Sequence, residues 1–347
     1  MNAQLVLYAP NIHQGGGRAL LLPLLEEMQG SSDVIFILDH RLQLPAHIKL
    51  SGEVFQVKAS LFSRLLFEWR LKYILSSDAC LLSMSNVPPL FAHQGVQHVF
   101  VQNKYLVDPT PPLAWFSFKI RFRIWIERLW LRSRAKYVHN FFVQTNSMQA
   151  LLQQTLNHNS IILPFASESL KTSGKSSEAL QKKYDFIYVA SGEIHKNHKV
   201  LINAWVELAQ RGIFPSLALT LNYQRFPRLC KWIEDQVNVH NLRILILGEC
   251  EHSEILALYH ASGALIYPSL YESFGLPLIE AARAGLPVLA GKLDYIRDVI
   301  VPSVEFDQTS PKSIADAVES YSTAPAKLKI KLLGATDFLH CAFNVLT

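Results

Sequence analysis

Short apolar runs alternate with stretches of helical spacing along almost the whole chain. Residues 5–9, 34–38, 79–83, 98–101 and 141–145 read as buried strands, and the apolar run 161–165 ends the first domain. Residues 186–190, 217–221, 243–247, 264–267 and 287–290 read as buried strands too. Helical period appears over 18–28, 146–154, from about 200, over 254–261, from 276 to about 285, after 292–299 and over 313–321. Strands separated by helices predict parallel sheets with helices on their faces. Over 166–183 the apolar content falls and serine, lysine and glutamate dominate, which predicts an exposed linker. The pattern therefore predicts an α/β protein of two doubly wound, Rossmann-like domains, 1–165 and 184–325, and 347 residues suffice for two.

One stretch, from Tyr267 to Leu289, concentrates the chemistry. A strand ending at Tyr267 empties into a short loop carrying Glu272, Phe274 and Gly275, and a helix starts near Leu276. Pro277 fits its first turn, where the missing N–H costs nothing. Gly285 suits a left-handed cap and Pro287 stops further helix. Strand, tight loop and helix N-terminus form a place for an anion, with free N–H groups pointing outward. Glu280, a helical turn past Leu276, can reach hydroxyls of a ligand held there. An anion at the helix end beside a carboxylate predicts a sugar nucleotide.

Glu272-Ser-Phe-Gly-Leu-Pro-Leu-Ile-Glu280, continued through Ala281 to Val288, resembles the E-x-F-G-x-x-x-x-E signature of the family 4 retaining glycosyltransferases. The resemblance is tight over 186–299 and loose elsewhere. It implies the GT-B fold, two Rossmann-like domains facing a cleft, with residues 326–347 crossing back onto the first. It implies that Glu280 holds the nucleotide ribose, that Glu272 contacts the donor sugar, and that N–H groups of Phe274, Gly275 and Leu276 meet sugar and phosphates. The loop after the strand at 186–190 contains Gly192, Lys196 and Asn197. Lys196-Asn197 matches the family's lysine loop, where a cation meets the donor diphosphate; a lysine suits that as a point charge. Many members carry an arginine directly after the glycine. Here Glu193 stands there, so it is expected to point away, with His195 or Lys199 supplementing Lys196.

In the first domain the triplet Gly15, Gly16, Gly17 follows the first strand. It admits three readings: a plain structural turn, the glycine loop that the family turns toward its cleft, or a dinucleotide fingerprint lacking its third glycine with Asp39 as the ribose acid. Many members place a histidine after the strand at 98–101. This chain has Gln102 and Asn103 there, while His93 and His98 fall before or inside the strand, so Asn103 is the cleft candidate. Residues 61–75 and 115–136 are rich in aromatics and cations. At helical spacing Phe118, Phe122, Trp125, Leu129 and Arg132 share one side. Two readings stay open: a helix in a membrane interface with arginines on anionic headgroups, or one packed on its own sheet with arginines as a solvated rim.

Composition narrows the partners. A net charge of +5 is compatible with anionic ligands or an anionic membrane but is too small to argue for nucleic acid. Four scattered cysteines form no metal spacing and read as buried hydrophobes of a reducing compartment. No Asp-x-Asp triplet occurs, so a metal-independent site is expected, with the nucleotide sugar as substrate and no cofactor. The first strand begins at residue 5 without a basic n-region, and no apolar run can span a bilayer, so a cytoplasmic protein is expected, peripheral on the inner face of the cytoplasmic membrane. The expected function is a metal-independent retaining glycosyltransferase (hexosyltransferase type) acting on a glycan or lipid-linked glycan, as in bacterial surface polysaccharide or lipopolysaccharide synthesis. The alternative is a non-catalytic GT-B-like binding or scaffold protein, favoured by Glu193 and the missing histidine.

Overall fold

The computed structural model describes residues 4–58, 60–91, 95–166, 182–321 and 323–344. The expected linker at 166–183 falls outside the described residues except for 166, 182 and 183, and His93 falls outside them too. The chain separates into two compact units, residues 1–168 with 331–347, and residues 169–330.

The first unit contains β1 (Leu5–Ala9), α1 (Gly15–Met28), β2 (Val34–Asp39), β3 (Glu53–Val57), α2 (Leu61–Ile74), β4 (Cys80–Ser83) and β5 (Val96–Phe100). It continues with α3 (Lys104–Val107), α4 (Phe118–Arg134), β6 (Asn140–Val143), α5 (Asn146–Leu156) and β7 (Ser160–Ile162). The strands form one parallel sheet in the order β3-β2-β1-β4-β5-β6-β7. Its central strands are buried on both faces, which is why they read as unbroken apolar runs. The edge strand β3 was not legible, because its residues are mostly exposed and its apolar Val54, Phe55 and Val57, preceded by Glu53 and interrupted by Gln56, form no continuous run.

Two sequence expectations change here. The glycine triplet is not a loop before a helix at 18: the helix starts at Gly15, which sits in the left-handed region at φ 64° after an extended Gln14. Gly17 lies against Ile12, where a Cβ would come 3.3 Å from Cγ2. Asp39 is not free for a ribose either. Arg41 holds both its carboxylate oxygens, at 2.9 and 2.6 Å, which removes the basis of the dinucleotide reading.

The second unit contains β8 (Tyr184–Tyr188), α6 (His198–Gln210), β9 (Leu217–Leu219), α7 (Pro227–His240), β10 (Ile244–Ile246), α8 (His252–His260) and β11 (Ser262–Tyr267). Then follow α9 (Leu276–Arg283), β12 (Val288–Gly291), α10 (Asp294–Val299), β13 (Ile300–Val301), β14 (Val304–Phe306), α11 (Pro311–Glu319) and β15 (Lys327–Leu328). Six strands make a second parallel sheet, β10-β9-β8-β11-β12-β14, while β13 and β15 pair antiparallel. The strand order reverses between β8 and β11. In an open parallel sheet that reversal leaves a crevice at the carboxyl ends of the two strands, where ligands bind.

The helix expected over 328–344 begins only at 335, as α12 (Ala335–Asn344), because residues 327 and 328 are drawn into β15. α12 belongs to the first unit. Buried Phe338 packs on Phe100 with centroids 5.1 Å apart and on Phe165 at 4.7 Å, and the Leu333 N–H donates to the Pro164 carbonyl at 2.8 Å. Phe338→Ala empties this three-ring cluster and is expected to cost about 3–5 kcal/mol, read as a lower urea midpoint. An unchanged midpoint would mean that α12 adds nothing to the unit.

Candidate active site

Two loops leave the carboxyl ends of β8 and β11 at the point of reversal. The β8 loop is Val189 to Asn197, closing in a single 3-10 turn over Ile194–Lys196. Asn197 ends that turn in the left-handed conformation, φ 62°, and its amide donates to the Pro268 carbonyl at 3.2 Å and to the Gln308 carbonyl at 2.7 Å. The side chain singled out as a donor-binding candidate is therefore spent on holding the loop. Gly192 meets a close approach: a Cβ there would lie 2.4 Å from Phe226 Cγ and 2.9 Å from Leu221 Cδ1.

The β11 loop is tied to the first at several points. The Leu270 N–H donates to the His195 carbonyl at 2.7 Å. Within the β8 side, the hydroxyl of Tyr188, the last residue of β8, donates to the Lys196 carbonyl at 2.6 Å and holds the loop to its own strand. Lys196 Nζ reaches Glu272 Oε1 at 2.5 Å, and Ser269 Oγ donates to the same oxygen at 2.6 Å. Burial pushes the Glu272 carboxyl up, but the positive charge of Lys196, with His195 and the hydrogen bonds from Lys196 and Ser269, outweighs it and holds the group below its ordinary range. Glu272 is thus a fixed anion beside a fixed cation, both half-buried.

Three residues later the chain turns into α9. Gly275 takes φ 76°, and a Cβ on it would lie 2.9 Å from Leu278 Cδ1, so glycine is needed for both conformation and space. Among the described residues, the N–H groups of Phe274, Gly275 and Leu276 have no hydrogen-bond partner. Phe274 buries its ring, so what it offers a ligand is backbone. Glu280 lies further along α9. The Tyr259 hydroxyl donates to it at 3.0 Å, and His252 Nδ1 stands 3.8 Å away. Burial raises the Glu280 carboxyl above its ordinary range, with His252, Tyr259 and Arg283 pulling the other way.

Glu193 does turn aside: its carboxylate accepts from Ser191 Oγ and pairs with Arg225 at 3.2 Å. Arg225, on the loop after β9, was missed by sequence reasoning, and an arginine outside any motif gives no signal. Ser269, Tyr188, Tyr259 and His252 were missed for the same reason. Lys199 stands over the Trp232 ring at 5.8 Å. In the first unit, Asn103 caps α3, its side chain accepting from the Tyr105 N–H at 3.1 Å, while Asn86 Oδ1 accepts from Gln102 and Asn103. His98 is buried within β5 and stacked on Phe142, and burial lowers its ring to about 4. Among the described residues, no group of three or more His, Cys, Asp or Glu side chains is arranged to hold a metal ion.

The architecture is the GT-B fold. The chain superposes on Anabaena Alr3699/HepE in complex with UDP and glucose at a TM-score of 0.66, 15% identity, covering 91% of this chain and 89% of that one. It superposes on WaaG, a glycosyltransferase involved in lipopolysaccharide biosynthesis, at 0.62 and 15%, covering 91% and 90%. Residues 171–330, nearly the whole second unit, match the family model Glycosyl transferases group 1. Within curated proteins, glycogen synthase of Mycobacterium tuberculosis is 29% identical over 167 residues, 46% of this chain and 39% of that protein. The O-antigen chain mannosyltransferase B of Escherichia coli is 26% identical over 114 residues, 33% of this chain and 30% of that protein. The chain therefore spans well under half the length of these curated relatives.

The Lys196–Glu272 pair sets a pH dependence. Glu272 has a lowered folded pKa, so its stabilisation is present above the unfolded carboxylate range, near ~4.3. It is lost as pH falls through the lower folded value. Glu272→Gln leaves Lys196 half-buried without its anion and is expected to cost about 3 kcal/mol near neutrality. The Tm difference between the two proteins should shrink as pH falls below that range. A constant difference across pH would mean that the carboxylate charge contributes nothing.

Proposed function

We propose that the chain is a metal-independent, retaining glycosyltransferase of the family 4 type that moves a sugar from a nucleotide-diphosphate donor to a glycan or lipid-linked glycan acceptor. Bacterial surface polysaccharide synthesis, lipopolysaccharide included, is the setting we infer, and the cytoplasmic side of the membrane the place. The observation that carries the reading is the juxtaposition, at the reversal of strand order, of Lys196 and Glu272 with three free N–H groups at the start of α9. A fold superposition on a UDP-bound structure and a group 1 family match support it.

In this reading the hard step is departure of the nucleoside diphosphate, whose bridging oxygen gains charge as the bond to the sugar breaks. The N–H groups of Gly275 and Leu276, with Lys196 once the donor shares it with Glu272, stand where that charge develops. Glu272 orients the donor sugar through its hydroxyls, and Glu280 takes the ribose. Asn197 and Gly192 act by shape, one pinning the β8 loop and the other admitting Phe226 against it. The first unit is the acceptor side, and the assignment of Gly15, Gly16, Gly17 and Asn103 to the cleft belongs to the same proposal.

Turnover is tested by substitution. Lys196→Ala is expected to lower kcat by about 10²–10³-fold, the loss typical of one prepositioned transition-state donor. Glu280→Ala is expected to weaken nucleotide binding by about 10–100-fold, as loss of a hydrogen bond to a charged group predicts. Glu272→Ala should abolish both transfer and donor hydrolysis. A thermal-shift panel of UDP, GDP and ADP sugars identifies the base and sugar. If no sugar nucleotide binds, the reading falls; if one binds but turnover is absent in the native protein, the non-catalytic alternative stands.

A further inference from the structure

Helices α2 and α4 each have two apolar faces, where a helix of a soluble domain needs one. On α4 the inward side is Ile124 and Leu131, both buried. Phe118, Phe122, Trp125 and Leu129 stand on the opposite side of the helix, all exposed, Phe118 by 81% and Trp125 by 54%. The rings of Phe118, Phe122 and Trp125 stack in a row, with centroids 6.4 and 5.7 Å apart. On α2, Leu71 is buried, while Phe62, Leu66, Trp69 and Tyr73 face outward, Phe62 by 78% and Tyr73 by 69%. Ordering large apolar side chains in water, away from any core, is a cost without a folding return.

The two helices lie side by side. The crossovers from β3 to β4 and from β5 to β6 run the same way along the sheet, so right-handed connections put α2 and α4 on one face. Arg64 of α2 sits over the Trp130 ring of α4 at 4.9 Å and is near enough to Glu127 of α4 to act on its carboxyl. Glu68 of α2 feels Arg134 of α4 in the same way.

Charge is sorted about this seam. Residues 61–75 and 115–137 hold ten lysines and arginines against two carboxylates, a surplus larger than the +5 of the whole chain. Both carboxylates turn inward: Glu68 accepts from the Tyr8 hydroxyl and from the Leu90 N–H, and Glu127 has its side chain mostly covered. Lys72, Lys119, Arg121, Arg123 and Arg132 remain outside, flanking the aromatic rows.

We propose that the outward faces of α2 and α4 together form one docking surface for an anionic lipid bilayer. The aromatic and aliphatic side chains enter the boundary between headgroups and acyl chains, and the flanking cations meet lipid phosphates. Leucine and isoleucine among the rings favour hydrocarbon over nucleic acid, since Leu65, Leu66, Ile120, Ile126 and Leu129 offer a base nothing to stack on. The surplus of cations disfavours a second copy of the same face, which would set like charges together. The inference rests on this surface and not on sugar transfer.

The full chain is tested by flotation with phosphatidylcholine vesicles, with and without phosphatidylglycerol, in the absence of donor and acceptor. Binding is expected only to the anionic vesicles. Replacing Arg121, Arg123 and Arg132 by glutamine is expected to weaken it by about 100-fold. Phe118→Ser/Phe122→Ser/Trp125→Ser should abolish it with circular dichroism and urea midpoint unchanged, because those side chains touch no core. In the native protein, brominated acyl chains should quench tryptophan fluorescence, and Trp125→Phe should remove much of that quenching. Three results overturn the proposal: no flotation with anionic vesicles, equal flotation with neutral ones, or full binding by the serine variant. Dimer formation lost in the serine variant, or retention of RNA in place of vesicles, would assign the surface to another partner. Nucleotide thermal shifts on the same variants are expected to be unchanged, so vesicle binding and donor binding fail separately.

Discussion

The ion pair between Lys196 and Glu272 is the constraint on which the second unit's loop geometry depends. It joins residues 76 positions apart, from loops on two adjacent strands, in a place where neither side chain is well solvated. Two half-buried charges at contact stabilise only if both stay ionised and their other lone pairs and protons are satisfied. Ser269 supplies a further hydrogen bond to the carboxylate, the Leu270 N–H and the Asn197 side-chain amide tie the two loops together, and the Tyr188 hydroxyl holds the β8 loop to its own strand. With Glu272 fixed, residues 273–275 have only one short path into α9. The left-handed Gly275 is the hinge of that path, and Glu280 takes its place one turn later. The ion pair, the hydrogen bonds around it and the left-handed Gly275 together fix where the loop turns into the helix N-terminus.

Much of this was legible in the sequence, for identifiable reasons. Strands buried on both faces write themselves as apolar runs, so β1, β2, β8, β11 and β12 were readable, whereas β3 on an edge and the short β13, β14 and β15 were not. The run from Glu272 to Glu280 was readable because glycine, proline and two carboxylates are needed there at fixed separations. The glycine triplet misled, since glycine marks both a loop and a helix start, and only the conformation of Gly15 decides. Partners supplied from elsewhere in the chain leave no local trace. Tyr259 and His252 beside Glu280, or Arg225 beside Glu193, are brought in by the sheet topology, and no spacing rule points to them.

The helices α2 and α4 show a different limit. A helical wheel predicts a broad apolar side but not how much of it the fold will cover. Here the sheet takes a narrow strip, Ile124 with Leu131 and Leu71 with Leu75, Phe67, Ile74 and Trp130 are partly covered beside it, and the outward rings stay exposed. The packed reading holds for that strip, and the interfacial reading is what is proposed for the exposed remainder.

Charge is handled in opposite ways at the two places that face anions in these proposals. On the α2–α4 surface the two carboxylates are covered and lie 3.9 Å from Arg64 and 3.8 Å from Arg123, and the cations far outnumber them. Around the β8 loop the cations come already matched: Lys196 of that loop with Glu272, and Arg225 of the loop after β9 with Glu193. A diphosphate arriving there has to take both cations from carboxylates that already hold them, so a bare anion gains little net attraction. A sugar nucleotide differs, because its hydroxyls can donate to the carboxylates while its phosphates take the cations. In the proposed reading the glutamates thus do more than orient the donor. They make the cations unavailable to any anion that does not bring hydroxyl groups with it, and selectivity for a sugar nucleotide over free phosphate follows from the pairing itself.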